Sequence, residues 1–200
     1  MSEYTETRHG LTIRIERDED NVNPRTEWDN FGTMVCFHRR YNLGDKHSMT
    51  REDLIALVQR PDVIALPLFL LDHSGLMMKT GRFESDSAGW DTSFVGYIYV
   101  THETVREEFG KLTKENMKKA LEILEAEVAV FSAYLEGEVY GFIIENESGE
   151  RIESCWGFIE TEYPIEKSYV LAEARNMVDS LTGNGTTDSN GQIILHLTEA

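Results

Sequence analysis

EVYGFIIENESGERIESCWGFIE, residues 138–160, decides how the rest of the chain is read. Two runs rich in β-branched and aromatic residues flank NESGE, whose Asn, Ser and Gly are turn formers, so the stretch reads as a β-hairpin. With Ser148 and Gly149 at the tip, residues whose numbers sum to 297 face each other. Gly141 then faces Trp156, and Gly157 faces Tyr140. An aromatic ring over a cross-strand glycine is a recurring sheet device, so the register is self-consistent. An antiparallel sheet is expected.

Upstream, Thr113 can cap a long helix reaching about Leu135. Its apolar positions Met117, Leu121, Leu124, Val128, Phe131 and Leu135 step by three and four, and Ala120, Ile123, Val130 and Tyr134 widen the stripe. A stripe this wide packs on a sheet, whereas a coiled-coil seam is narrower. Downstream, Val170, Ala174, Met177, Val178 and Leu181 mark a last helix. Residues 1–10 and 182–190 are expected to be mobile, and QIILHL (192–197) to be a closing strand.

Further out, LTIRIERDE (11–19), TMVCFHR (33–39), ALPLFLLDH (65–73) and FVGYIYV (94–100) read as strands. Thr50 with Asp53 resembles a capping box for a helix that Pro61 ends, and a short helix runs from Thr101 to Gly110. Neither internal repeats nor a domain boundary can be picked out. The expectation is one α+β domain over residues 1–200, a mainly antiparallel sheet packed by about four helices.

The chain carries 36 acidic against 19 basic residues, net −17. Direct nucleic-acid binding is not expected, because that affinity comes mainly from Lys and Arg neutralising phosphates. The longest near-continuous apolar run, Val63 to Leu71, falls short of the ~18–20 residues of a membrane span. MSEYTETRHG lacks a basic start and an apolar core, so no secretory signal is expected and the cytoplasm is the expected location. Cys36 and Cys155 lie in apolar surroundings and are expected to be buried free thiols. No zinc-site spacing, phosphate loop, GxGxxG or HExxH occurs, so no cofactor or metal is expected.

LPLFLLDHSGLMM (66–78) sets Asp72, His73 and Ser74 side by side, three residue types of a hydrolytic triad. Triad members come from separate elements, since Ser must reach one imidazole nitrogen while Asp holds the other. Neighbours on one chain diverge, and Ser74 lacks a nucleophile-elbow setting. A strand ending in a turn is expected. CFHRRYNLGDKH (36–47) offers an alternative: were strands 33–38 and 66–72 neighbours, His38 could approach Asp72 or His73. Such a set suits a small enzyme, metal-dependent or using general acid–base chemistry, with Arg39 or Arg40 on an anionic substrate.

The acidic signal is more distinctive. From Glu136 to Glu166 there are nine Glu and one Arg, net −8. Glu145 and Glu147 fall two strand positions apart, about 6.8 Å at ~3.4 Å per residue. Ordered carboxylates can imitate the charge of DNA, which carries one per ~1.7 Å of duplex axis. Glu145, Glu147, Glu150, Glu153, Glu160 and Glu162 are therefore the expected contacts to a basic, nucleic-acid-binding partner.

EWDNFGTMVCFHRRYNLGDKH, LPLFLLDHSG and VGYIYVTHETVREEFG, together with LEGEVYGFIIE and SCWGF, resemble a family of uncharacterised proteins carried by bacteriophages, plasmids and bacterial genomes. The resemblance spans roughly residues 27–160 and brings no catalytic role for His38, Asp72 or His73. What it implies is a mobile-element setting, in which small acidic proteins are often inhibitors of host defence, some of them DNA mimics of the anti-restriction or anti-CRISPR type. A non-enzymatic inhibitor of that kind, binding a host defence protein, is the leading expectation.

Overall fold

The computed structural model of the chain describes residues 2–86, 89–161 and 164–183. In chain order its elements are β1 (Ser2–Arg8), β2 (Leu11–Arg17), α1 (Pro24–Glu27), β3 (Thr33–Cys36), α2 (Arg51–Val58), β4 (Val63–Asp72) and β5 (Leu76–Lys79). They continue with β6 (Thr92–Thr101), α3 (His102–Phe109), α4 (Lys114–Glu136), β7 (Val139–Glu145), β8 (Arg151–Ile159) and α5 (Tyr169–Leu181). The fold is α+β and the pairing antiparallel. The strands divide between two four-stranded sheets, in the orders β1-β2-β7-β8 and β3-β6-β4-β5. Each sheet belongs to one compact unit: the first comprises Met1–Asn21 with Glu138–Ala200, the second Val22–Gly137.

In the first unit, Phe142, Ile143 and Ile144 oppose Cys155, Ser154 and Glu153, the register expected from the sequence. Both ends of the hairpin depart from it. At the tip, the Asn146 side chain accepts the N–H of Ser148 and of Glu150, Gly149 takes φ 78°, and Glu145 opposes Arg151. The loop is thus longer than a two-residue turn. Lower down, the register shifts at Gly141, so Tyr140 opposes Phe158 instead of Gly157, which sits at φ 88°. Trp156 does cover Gly141: a Cβ there would lie 2.1 Å from Trp156 Cε3. Tyr140, Phe142 and Ile144 of β7, with Ile13 and Ile15 of β2, bury against Val170, Leu171, Ala174 and Val178 of α5. Each fully buried aliphatic side chain there contributes about 1.5–3 kcal/mol.

Residues 1–10, expected to be mobile, instead supply β1, joined to β2 by His9 and Gly10, whose φ values are 51° and 81°. Two positive φ angles are the mark of a tight type I′ turn. The strand is tied to α5 by ion pairs. Arg175 donates to Glu6 at 2.8 and 2.6 Å, and Arg8 donates to Asp179 at 2.6 and 2.7 Å. From residue 184 on, the expected mobile segment and closing strand lie outside the described residues.

These pairs make the first unit acid-sensitive. Hydrogen bonds from Arg175 hold the Glu6 carboxyl below its ordinary range, and those from Arg8 do the same for Asp179. A depressed carboxylate contributes fully above its unfolded pKa of about 4 and loses that contribution as pH falls through its lower folded value. Stability against urea is therefore expected to decline below about pH 4. The double variant Glu6→Gln/Asp179→Asn should flatten that decline; an unchanged acid slope would remove these pairs as its cause.

In the second unit, Met34, Leu68, Leu70, Met78, Ile98 and Val100 of the sheet close on Ala120, Leu124, Val128 and Phe131 of α4. That helix begins where Thr113 accepts the N–H of Asn116 and ends at Gly137, with φ 77°. Strand β5, which the sequence reading leaves unmarked, is fastened by Ser132, whose hydroxyl accepts the Met78 N–H at 2.9 Å. Thr50 and Asp53 form the expected capping box of α2. Cys36 is buried, and burial pushes its thiol up to about 12. Cys155 is exposed, against expectation, because β8 is the outermost strand of its sheet. Among the described residues no helix is long and apolar enough to cross a membrane.

Candidate functional site

The most constructed part of the second unit is the base of the loop that follows β3. Asn23 caps α1 by accepting the Arg25 N–H, which directs the Arg25 side chain inward. Its guanidinium donates to both Asp45 oxygens at 2.8 Å, to Glu127 at 2.8 Å, to Asn30 at 2.9 Å and to the Gly32 carbonyl at 2.7 Å. Glu127 in turn accepts the Phe31 N–H at 2.6 Å, and Asp45 accepts the Met34 N–H at 2.8 Å. Burial would lower the Arg25 pKa, but the Asp45 and Glu127 carboxylates outweigh it and hold it above its ordinary value. With Val35 bridged to Gly44, this clamp closes residues 36–44 into a fixed loop.

That loop carries His38, Arg39 and Arg40 of the enzymatic alternative, and Asp72 and His73 stand at the end of β4. His38 Nδ1 accepts the N–H of Arg40 at 3.3 Å and of Tyr41 at 3.2 Å, so the neutral ring holds its proton on Nε2. The ring stacks on Tyr41, 4.9 Å between centroids and 10° from parallel. The Arg40 guanidinium lies 5.4 Å from the Tyr41 ring centroid and pairs with Asp72. Tyr41 Oη donates to the second Asp72 oxygen at 3.4 Å. His73 diverges: its Nδ1 meets Asp91 at 3.0 Å. Ser74, at φ 57°, begins the turn with Gly75, and Asp72 and His73 are engaged with Arg40 and Asp91 rather than with each other, so no triad forms.

Strands β3 and β4 are not neighbours, since β6 runs between them. Both are antiparallel to β6, and so their C-terminal ends share one end of the sheet. His38, Arg40 and Asp72 accordingly line one cleft of about 220 Å³ with Trp90 and Asp91. His73 joins it only through Asp91. Among the described residues no three His, Cys, Asp or Glu side chains converge to hold a metal ion.

Comparison with protein-family models, curated proteins and solved structures finds no match. The geometry of the chain is what bears on its function.

The six hairpin carboxylates do not act alike. Glu160 is buried, 4% exposed, and accepts the N–H of Tyr169 at 3.1 Å and of Val170 at 2.5 Å, capping α5. It presents no charge to a partner, because both oxygens satisfy a helix N-terminus. Glu145 is half-buried and paired with Arg14 at 3.2 Å, while Glu147 belongs to the loop, so no strand-spaced ladder joins the two. Glu147, Glu150 and Glu153 are exposed and form no ion pair with a described residue. Glu162 lies outside the described residues.

Sequence reasoning missed Arg51, whose guanidinium sits 4.8 Å from the centroid of the Phe37 ring, and Trp90, which is 88% exposed. Arg51 has a sequence signal, since it directly follows the helix cap Thr50. Trp90 has none, because Asp86 positions it by accepting the N–H of Trp90, Asp91 and Thr92.

Proposed function

We propose that the protein acts as an acidic binding protein, of the kind used by mobile elements against host defence, and that the tip and outer strand of the β7–β8 hairpin contact a basic, nucleic-acid-binding partner. The observation that carries this reading is the exposure of Glu147 and Glu150 at the hairpin tip, next to an edge strand that exposes Glu153 on one face and Ile152 and Trp156, 44% and 42% exposed, on the other. Exposed apolar side chains can anchor a complex, and exposed charge on the same strand and loop steers its formation.

Charge across the first unit supports it. Its sequence holds 18 acidic and 6 basic residues, net −12, against 18 and 13, net −5, in the second. Four of those six cations, Arg8, Arg14, Arg17 and Arg175, already bridge to carboxylates within the unit. The exposed carboxylates are left to act outward, and the resemblance to phage- and plasmid-borne proteins supplies a setting with such partners.

The test is affinity capture from bacterial lysate at low and high salt, with and without competing duplex DNA, beside the triple variant Glu147→Lys/Glu150→Lys/Glu153→Lys. A nucleic-acid-binding protein should be retained at low salt, displaced by DNA and lost with the variant. Retention indifferent to the three reversals would overturn the reading.

A further inference from the structure

The second unit contains a surface of the opposite character. Beside the His38–Asp72 cleft is one of about 400 Å³ lined by Phe37, His38, Arg39, Arg40, Arg51, Ser93 and Phe94. Three arginines and a histidine face it, and no carboxylate does, in a chain of net charge −17. Arg39 and Arg51 form no ion pair with a described carboxylate, whereas Arg40 is paired with Asp72. An adjoining cleft of about 560 Å³ shares Phe37, His38, Arg39 and Arg51 and adds Lys46; its one carboxylate, Asp45, is taken by Arg25. Arg39 rides on the loop that the Arg25 clamp closes, and Arg51, from α2, is tied to that loop by donating to the Phe37 carbonyl at 3.2 Å.

Planar guanidinium groups bind phosphate oxygens in pairs and hold them more tightly than single-point donors do. His38 can add a donor, since its proton is on Nε2. Phe94 is 44% exposed, and its ring is braced edge-on by Phe69 at 5.7 Å and Tyr97 at 5.3 Å, leaving it as a flat rigid surface. The volume falls in the ~300–1,000 Å³ range of small-ligand sites. A phosphate group beside an aromatic surface is the chemistry of a nucleotide. A long nucleic acid is disfavoured by charge, because Asp72 and Asp91 line the adjoining cleft and the unit as a whole is net −5.

We propose that this cleft is a binding site for a free nucleotide, with Arg39 and Arg51 on its phosphates, Arg40 and His38 flanking them, and the base against Phe94. The cleft shares no residue with the hairpin reading, so either proposal can fail without the other.

The test is calorimetric titration of the full-length protein with the four ribonucleoside 5′-diphosphates, with pyrophosphate, unphosphorylated nucleosides and a short single-stranded oligonucleotide alongside. At least one diphosphate should bind more tightly than pyrophosphate and than any nucleoside. The variant Arg39→Ala/Arg51→Ala should weaken it by about tenfold or more, as loss of two charged contacts requires. Both side chains are exposed, so the variant should keep the wild-type circular dichroism. Phe94→Ala should bring nucleotide affinity down to that of pyrophosphate, and Lys118→Ala, at an exposed cation that lines neither cleft, should leave it unchanged. No binding at millimolar nucleotide, equal affinity for pyrophosphate, or tighter binding of the oligonucleotide would each overturn the assignment.

Discussion

Replacing Arg25 with leucine should destabilise the second unit by about 3–5 kcal/mol, the cost of removing one member of a buried ionic group. The Arg25 side chain is only 1% exposed, and Asp45 and Glu127 are largely covered at 23% and 15%. Without the guanidinium those two carboxylates face each other's charge with no cation between them, and the Gly32 carbonyl and Asn30 lose their donors. Lysine should not rescue the loss, because one ammonium cannot donate in the fixed fork that reaches Asp45 twice and Glu127 besides. Urea unfolding checks the magnitude, and hydrogen exchange at Met34, whose N–H is held by Asp45, checks the place. A loss below ~1 kcal/mol would put the network in the class of surface ion pairs and remove it as the anchor of the loop.

Gly96→Ala should cost about 3 kcal/mol, at the upper end of ordinary overpacking. A Cβ at Gly96 would lie 2.0 Å from the Val35 carbonyl oxygen and 3.0 Å from Cys36 Cα. Both are backbone atoms of the paired strand, so no rotamer change relieves the clash and β3 must move away from β6. Strand β6 lies between β3 and β4, which leaves it no free side to yield toward. Cys36, opposite Gly96, reports the movement directly. In the native protein a thiol reagent should modify exposed Cys155 quickly and Cys36 slowly, since burial both hides that thiol and suppresses its thiolate. In the variant Cys36 should react far faster. A protected Cys36 with stability unchanged would mean that β3 does not lie against Gly96.

The two variants act on features that hydropathy patterns do not carry. Alternation and helical stripes locate β2, β3, β4, β6, β7 and the helices α2 to α5, because each of those elements turns an apolar face to a core, and the turn residues of the hairpin locate the largely exposed β8. Strand β1 escapes because Glu6 and Arg8 face α5 through ion pairs, where the pattern would need apolar residues. Division into two sheets escapes because strand partners are chosen over long separations: β2 pairs with β7, not with β3. At the site, the turn at Ser74 is legible from local geometry. The meeting of His38 and Asp72 is not, since it depends on β6 entering between their strands. Glu160 reads like its neighbours and yet is buried, because its role is set by where α5 begins.

The order of the strands also sets a timetable for synthesis. In the first sheet β2 must pair with β7, and the whole of the second unit is encoded between them. At roughly 5–20 residues per second a ribosome needs on the order of ten seconds to cross that interval. During that wait β1 and β2 exist as an isolated two-stranded ribbon, which is marginal in water, with the open side of β2 unsatisfied. The second unit, complete in itself once α4 has emerged, can fold first. The newborn chain thus finishes its middle before its beginning, and the N-terminal hairpin is the segment most in need of shelter until the C-terminal third arrives.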